Sequence, residues 1–203
     1  MVAHSGDSAK HEARPGACKF YKIGPDFGLD GPAGFEIENL AKLLQGRPVF
    51  GPAPDRRGFP DYPEPPHVVI DEKFGRPPLD LEECYGYWLI SARAKSVFET
   101  IDAAGFAFVR CVTRPEYWLC DAVRILDAVD ERASRIEIEH RGGVKSYDLT
   151  RGASLVFREE ILNSVHVFRL AYLQPLVVCD QRLKEACDAA GLKGIKFRDM
   201  SDY

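Results

Sequence analysis

Proline is concentrated in one part of this chain: nine of its fourteen prolines fall between residues 46 and 78. Proline fixes φ and has no backbone N–H to donate, so this segment cannot form long helices or central strands. The same segment contains the aromatic residues Phe50, Phe59, Tyr62 and Phe74. A disordered linker would be poor in such residues, and the pattern therefore predicts an extended arm that packs on the rest of the protein.

Three parts follow one another along the chain of 203 residues, a length typical of one domain. Residues 1–17 are small and polar, which predicts a mobile leader. Residues 18–78 form the proline-rich arm, with a strand at "CKFYKIG" and a short amphipathic helix at "FEIENLAKLLQG" that ends at Gly46. Residues 79–203 form the main body, and a hydrophobic content of 45% is sufficient for a core.

Strands outnumber helices in the main body and follow one another in runs. Ser91 can cap a helix over "SARAKSVFETIDAAG", where apolar residues repeat at helical spacing. The run "YWLCDAVRILDAV" predicts one long strand, and "RIEIEHRGGVKSYDL" predicts a hairpin with two glycines at its turn. We therefore expect an α+β fold with a mixed, mainly antiparallel sheet, a few packing helices and the proline-rich N-terminal arm.

The tetrapeptide "DAAG" occurs twice, at residues 102–105 and 188–191. Glycine loops that bind phosphate precede a helix, whereas each DAAG follows a predicted helix. Gly105 and Gly191 are therefore predicted to end their helices in the left-handed conformation. An apolar strand and a capped helix precede each copy, and a strand follows it. The repeat is thus either a duplicated strand–helix–strand unit or a coincidence of two short sequences.

The composition argues against several classes of function. A net charge of −4 and a pI near 5.8 disfavour a nucleic-acid-binding protein. No apolar run approaches the roughly 20 residues that cross a bilayer, and the N-terminal residues lack the apolar segment of a signal peptide. The six cysteines have no spacing typical of a metal site or a disulfide framework. We expect a cytoplasmic protein without metal, cofactor or membrane partner.

Three side chains support the alternative that the chain is a small enzyme with a site between sheet and arm. Asp121 and Asp127 lie in one apolar run, and His166 lies in a later strand. Such groups can serve as acid and base. However, Asp127 borders a turn, where aspartate is common for backbone reasons, and no nucleophile or metal-ligand motif accompanies the three. No catalytic residue is therefore predicted.

Acidic and aromatic residues occur together in two places, at "DLEECYGYW" and at "DRRGFPDYPEPP". Aromatic side chains supply contact area and carboxylates steer a basic partner. The alternative is a charged loop that leads into a core strand. The candidate residues for partner binding are Asp80, Glu82, Glu83, Tyr85, Asp61 and Tyr62.

Three longer stretches are similar to a known family. They are "YWLISARAKSVFETIDAAGFAFV", "YWLCDAVRILDAVDERAS" and "VFREEILNSVHVFRLAYLQPLVVCDQRLKEACDAAGLKGIKF". Together they resemble the bacterial immunity-protein family numbered eleven in polymorphic-toxin systems, over residues 85–197 and more loosely the arm. The resemblance rests on residues that maintain the fold.

The resemblance implies a cytoplasmic protein that is encoded beside a secreted toxin, binds that cognate toxin and protects the producing cell. It implies no catalytic residues, and the negative net charge favours a basic surface on the toxin. The alternatives are the small enzyme described above and a non-enzymatic scaffold. A homodimer that pairs through the strand "RIEIEHR" is a further possibility.

Overall fold

The computed structural model of this chain describes residues 18–52 and 58–203, so the predicted leader 1–17 lies outside it. Its helices are α1 (Leu40–Leu44), α2 (Ala92–Asp102) and α3 (Gln181–Ala189). Its strands are β1 (Phe20–Pro25), β2 (Phe35–Ile37), β3 (Val68–Ile70), β4 (Leu81–Cys84), β5 (Tyr87–Ser91), β6 (Phe106–Arg110), β7 (Tyr117–Ala122), β8 (Ile125–Leu126), β9 (Glu137–Arg141), β10 (Val144–Asp148), β11 (Val167–Leu170), β12 (Leu173–Asp180) and β13 (Ile195–Asp199).

The strands divide between two main sheets and two small ribbons. The first main sheet has the order β4-β5-β7-β6, and the second has the order β13-β1-β12-β11-β8. The ribbons are β2–β3 and β9–β10. Among the paired strands of the described residues, β8 and β11 are parallel and all other pairs are antiparallel. The predicted α+β class with mainly antiparallel pairing is confirmed.

Both main sheets contain the same unit of a hairpin, a helix and a strand. In the first sheet the hairpin β4–β5 leads into α2 and then β6, and β7 lies between β5 and β6. In the second sheet the hairpin β11–β12 leads into α3 and then β13, and β1 lies between β12 and β13. The strand–helix–strand arrangement around each DAAG therefore occurs twice in the fold.

The two units also agree in register. Ser91 and Asp180 end β5 and β12, and the side chain of each accepts a hydrogen bond from the backbone N–H three residues further on, which caps the helix. The next strand begins fifteen residues after the cap in both units, at Phe106 and at Ile195. The lysine four residues after each cap lies over two aromatic rings: Lys95 over Phe108 and Trp118, and Lys184 over Tyr21 and Phe197.

The two copies of DAAG do not occupy equivalent positions in the two units. Gly105 of the first copy is equivalent to Gly194, which lies three residues after Gly191 of the second copy. Gly191 has the predicted left-handed conformation, with φ +62°. The prediction for Gly105 was wrong: its φ is not positive, and it ends a 3-10 turn at Ala103–Gly105. A Cβ on residue 105 would overlap Cγ1 of Val167. Gly105 is thus required by a close approach between the two units.

The central core lies where the two units meet. One face of each main sheet contributes to it, together with α2 and α3, which also contact each other. Both helices bury the residues three and seven positions after their caps, as an amphipathic helix does. The buried side chains of the central core include Trp88, Ile90, Phe98, Val177 and Leu183.

Each sheet has a second face that is covered by a different segment. On the first sheet, Leu89 is buried in one cluster with Leu43 and Phe50 of the arm. On the second sheet, the segment between β8 and β11 covers the outer face, and Phe157 lies edge-on to Phe168 at 5.7 Å between ring centroids. The part of the arm that contains α1 and Phe50 and the segment between β8 and β11 therefore cover equivalent faces of the two sheets.

Two predicted elements were wrong in extent. The helix predicted over "FEIENLAKLLQG" is divided into β2 and α1, because residues 35–37 pair with residues 68–70. The single strand predicted at "YWLCDAVRILDAV" is β7 followed by β8, which lie in different sheets. The break falls at residues 123 and 124, between the two strands, where the guanidinium of Arg124 binds the carboxylate of Asp102 at 2.6 and 3.0 Å.

The predicted division at residue 79 stays a prediction. The segment 18–78 contributes β1 to the second main sheet, where it pairs with β12 and β13 from the C-terminal end of the chain.

In the arm, Phe50 is buried, Phe59 and Tyr62 are partly buried, and Phe74 is exposed.

Candidate functional site

The turn between β4 and β5 has an unusual residue at its tip. Cys84 pairs with Tyr87, so the turn consists of Tyr85 and Gly86 alone. Both have positive φ, 54° and 82°, as a type I′ turn requires. Asparagine or glycine fits the first position of such a turn, whereas an aromatic residue with positive φ is strained. Tyr85 is therefore held in a conformation that its backbone does not favour.

Residues 50–52 of the arm pack against this turn. Gly51 lies so close that a Cβ on it would be 2.6 Å from the carbonyl oxygen of Tyr85, and Pro52 packs on Gly86. The ring of Phe50 meets the ring of Tyr85 edge-on, with 5.7 Å between centroids. Tyr85 nevertheless stays 53% exposed. The surrounding structure thus fixes the turn and presents the tyrosine to solvent.

A groove of about 460 Å³ runs beside the turn. It is lined by Tyr85 and Glu83 from the β4–β5 hairpin, by the loop that follows β1 and by β2. Phe27 from that loop is 79% exposed, the most exposed large apolar residue among those described. The groove therefore lies between two aromatic side chains that contact solvent.

The groove carries negative charge. Glu36 and Glu83 line it and form no ion pair with any described lysine or arginine, whereas Asp26 is 3.6 Å from the ammonium of Lys196. The guanidinium of Arg76 also lines the groove, but it binds the carboxylate of Glu82 at 2.5 and 3.0 Å. A groove with carboxylates that no described lysine or arginine pairs with is suited to a cationic partner.

Two of the predicted partner-binding carboxylates serve the fold. Asp80 is buried and accepts hydrogen bonds from the Ser91 hydroxyl at 2.6 Å and from the Lys193 N–H at 2.8 Å. Glu82 is buried, binds Arg76 and accepts from the Leu79 N–H at 2.8 Å. Both carboxylates therefore have internal partners, which separates them from the exposed Glu83 and Tyr85 of the same hairpin.

The other two candidates, Asp61 and Tyr62, belong to the arm, and Tyr62 contacts the Phe50 ring that also contacts Tyr85. The Tyr62 ring stacks on Phe50 with 5.9 Å between centroids, and the Arg47 guanidinium lies 5.8 Å from its centroid. Burial raises the pKa of the Tyr62 hydroxyl. Asp61 is exposed. Phe50 thus connects Tyr62 on one side with Tyr85 on the other.

Sequence reasoning missed Phe27 and Glu36. Phe27 belongs to "GPDFGLDGPAG", whose glycines and prolines predict a turn, and Glu36 belongs to the residues predicted to be helical. An aromatic residue within a glycine-rich and proline-rich turn was the available signal, because such a loop has little core to bury it.

The structure does not bring together the three residues of the enzyme alternative. Asp121 is buried and binds Arg169 at 2.7 Å, whereas Asp127 is on the surface, 3.2 Å from Arg158. His166 Nδ1 lies 2.8 Å from the carboxylate of Asp180, the α3 cap. Each group has a separate partner, and no pair of the three converges in a cleft.

No cluster of metal-ligand side chains is found within residues 18–52 and 58–203. Five cysteine thiols are buried, and burial raises their pKa, to about 12 for Cys111 and Cys187. A thiol with a raised pKa is a poor nucleophile and a poor metal ligand at neutral pH. The helices α1, α2 and α3 are too short to cross a bilayer.

Comparison with known proteins assigns the family. No curated protein matches the chain at a significant level. One family description matches residues 19–202, nearly the whole chain, and therefore includes the groove, both units and the segments that cover them. The chain belongs to the immunity protein family (Imm11).

Proposed function

We propose that this protein acts in the cytoplasm as the immunity protein of a polymorphic toxin system and neutralises its cognate toxin by binding it. The observation that carries the proposal is the family match over residues 19–202. The exposed face around the β4–β5 turn supports binding, because it combines aromatic side chains with carboxylates that form no ion pair with a described lysine or arginine.

The predicted partner-binding residues divide into two roles under this proposal. Glu83, Tyr85, Asp61 and Tyr62 provide the contact surface, since Tyr62 and Tyr85 flank the same Phe50 ring. Asp80 and Glu82 hold the hairpin that presents Tyr85, because Asp80 accepts from the Lys193 N–H and Glu82 accepts from the Leu79 N–H. Substitution of Asp80 or Glu82 would therefore lower stability, whereas substitution of Glu83 would alter binding.

Co-expression tests the function. The toxin domain encoded beside this chain is expressed in a bacterial host with and without the protein, and growth is measured together with co-purification. We expect growth to be restored and a stoichiometric complex to form. A host that still dies while both proteins are soluble, with no complex, would show that this chain is not the immunity protein of that toxin.

Self-association is a separate part of the proposal. The strand β9 pairs only with β10 among the described residues, so the ribbon leaves strand edges that a second copy could extend. Light scattering of the purified protein gives the oligomeric state directly. A monomer at all concentrations would exclude a dimer through β9.

A further inference from the structure

We propose that the groove between Phe27 and Tyr85 is the docking site for an apolar side chain that is flanked by lysine or arginine on the surface of the toxin. The inference rests on the proposed function and specifies where the toxin binds and what its contacting segment contains. It is carried by three independent features of the groove: its strained tyrosine, its exposed phenylalanine and its charge.

The conformation of Tyr85 is the first feature. Its φ of +54° lies in the left-handed region, which asparagine or glycine would occupy with less strain. Strained residues persist where the surroundings fix them and are concentrated at binding sites. Gly51, Pro52 and Phe50 provide that fixed environment. These contacts hold the strained Tyr85 as a rigid aromatic side chain at the edge of the groove, which is the form that an interface anchor takes.

Phe27 is the second feature. It makes no ring contact with any described aromatic residue and stays 79% exposed at the groove. Leu29 and Phe35 add apolar surface to the lining. An apolar side chain of a partner that enters the groove would cover these surfaces and gain the free energy of their removal from water.

Charge is the third feature and defines the partner. Glu36 and Glu83 are exposed at the groove and lack described cationic partners, while Arg76 is already bound to Glu82. A docked acidic or neutral segment would leave these carboxylates unpaired. A lysine or arginine beside the docked apolar residue would pair with Glu36 and Glu83. The negative charge of the groove would also attract this cationic residue before contact and increase the association rate.

The decisive variant is Tyr85→Asn, measured in the full-length protein with the purified toxin domain encoded beside it. Asparagine suits the type I′ turn, so the backbone of the variant should not be destabilised. Any decrease in the midpoint of chemical unfolding should come only from the lost contact with the Phe50 ring. The affinity should fall at least about 30-fold, as loss of an interface anchor does. Phe27→Ser, on an exposed loop, should also weaken binding while the fold is kept.

Val112→Ser is the matched control, because Val112 is apolar, 54% exposed and outside the groove. We expect its affinity to equal that of the wild type. For the charge, the double variant Glu36→Gln/Glu83→Gln should reduce the association rate and its dependence on salt, and glutamine keeps an acceptor for the Gly86 N–H. Glu160→Gln is the control, because Glu160 is exposed and forms no ion pair with another described residue.

The possible results separate the two levels of the proposal. Wild-type affinity in both Tyr85→Asn and Phe27→Ser, with the complex intact, would overturn the docking site and leave the immunity function standing. Absence of any complex with the wild-type protein would overturn the function and the docking site with it. Weaker binding by the groove variants but not by Val112→Ser supports both.

Discussion

Gly194 lies so close to Leu81 that a Cβ on residue 194 would be 2.5 Å from the Leu81 carbonyl oxygen. Gly105 stands in the corresponding relation to Val167. Leu81 begins β4 and Val167 begins β11, the first strands of the two units. The two units therefore pack closely against each other at two places. In each, the glycine that precedes the last strand of one unit contacts the first residue of the first strand of the other unit.

The first prediction concerns Gly105→Ala. The φ of Gly105 is accessible to any residue, so backbone strain contributes nothing, but the new methyl group would overlap Val167 in the central core. Overpacking of this kind costs about 1–3 kcal/mol of the free energy of unfolding. Urea denaturation followed by circular dichroism measures the loss.

Gly24→Ala is the control for this variant. Gly24 lies in β1, has no positive φ and would meet no atom within 4 Å of a new Cβ. Its unfolding midpoint should remain close to that of the wild type. Equal midpoints for Gly105→Ala and Gly24→Ala would show that the units are not tightly packed at residue 105.

The two DAAG aspartates give a second prediction, because the same tetrapeptide has different roles in the two units. The Asp102 side chain is 6% exposed and binds Arg124 and the His166 N–H, whereas the Asp188 side chain is 56% exposed and pairs with Lys184. Asp102→Asn leaves the Arg124 charge unpaired and should cost about 3 kcal/mol. Asp188→Asn should change stability by less than about 1 kcal/mol. Similar losses for both would contradict this assignment.

The pH dependence of stability provides a third prediction at the same residue. Burial raises the pKa of Asp102, but Arg124 and the N–H groups of His166 and Val167 outweigh it, so the net shift is downward. A carboxyl with a lowered folded pKa stabilises the protein fully above its unfolded pKa of about 3.9. This stabilisation is lost as the pH falls through the folded pKa. Below pH 4 the unfolding free energy of Asp102→Asn should therefore decrease less steeply than that of the wild type.

Elements determined by local pattern were predictable from the sequence. The helix after Ser91 was predicted because a capping hydroxyl and helical spacing of apolar residues agree, and α2 starts at Ala92. The hairpin β9–β10 turns at Gly142 and Gly143, both with positive φ, as the two glycines indicated. These features depend on residues that are neighbours in the chain.

Features that depend on distant partners were not predictable. Arg124 interrupts an apolar run because Asp102 binds it, and Phe35 joins a ribbon because it pairs with Ile70. At the site, Asp80 is buried because the Lys193 N–H, 113 residues further along the chain, donates to its carboxylate. No local pattern distinguishes a carboxylate that a folded chain will bury from one that it leaves exposed.

A fourth prediction tests whether Asp121 is structural. Its side chain is fully buried, accepts from Arg169 at 2.7 Å and accepts from the Gly58 N–H of the arm at 2.8 Å. Asp121→Asn leaves the buried guanidinium without its counter-charge and should lower the free energy of unfolding by about 3–5 kcal/mol. Asp127→Asn, at a half-exposed surface pair, should cost less than about 1 kcal/mol. Asp121→Asn with unchanged stability would reopen a functional role for this carboxylate.

The last prediction concerns the cysteines. The described structure contains no disulfide: Cys18 is exposed, and the other five thiols are buried with raised pKa values. Alkylation proceeds through the thiolate, so burial and a raised pKa both suppress it. Iodoacetamide at pH 8 should therefore add one group rapidly to the folded protein and six to the protein in denaturant, as counted by mass spectrometry. The variant Cys18→Ser should lose the rapid adduct, and a second rapid adduct in the folded wild type would show that one of the two units opens on that timescale.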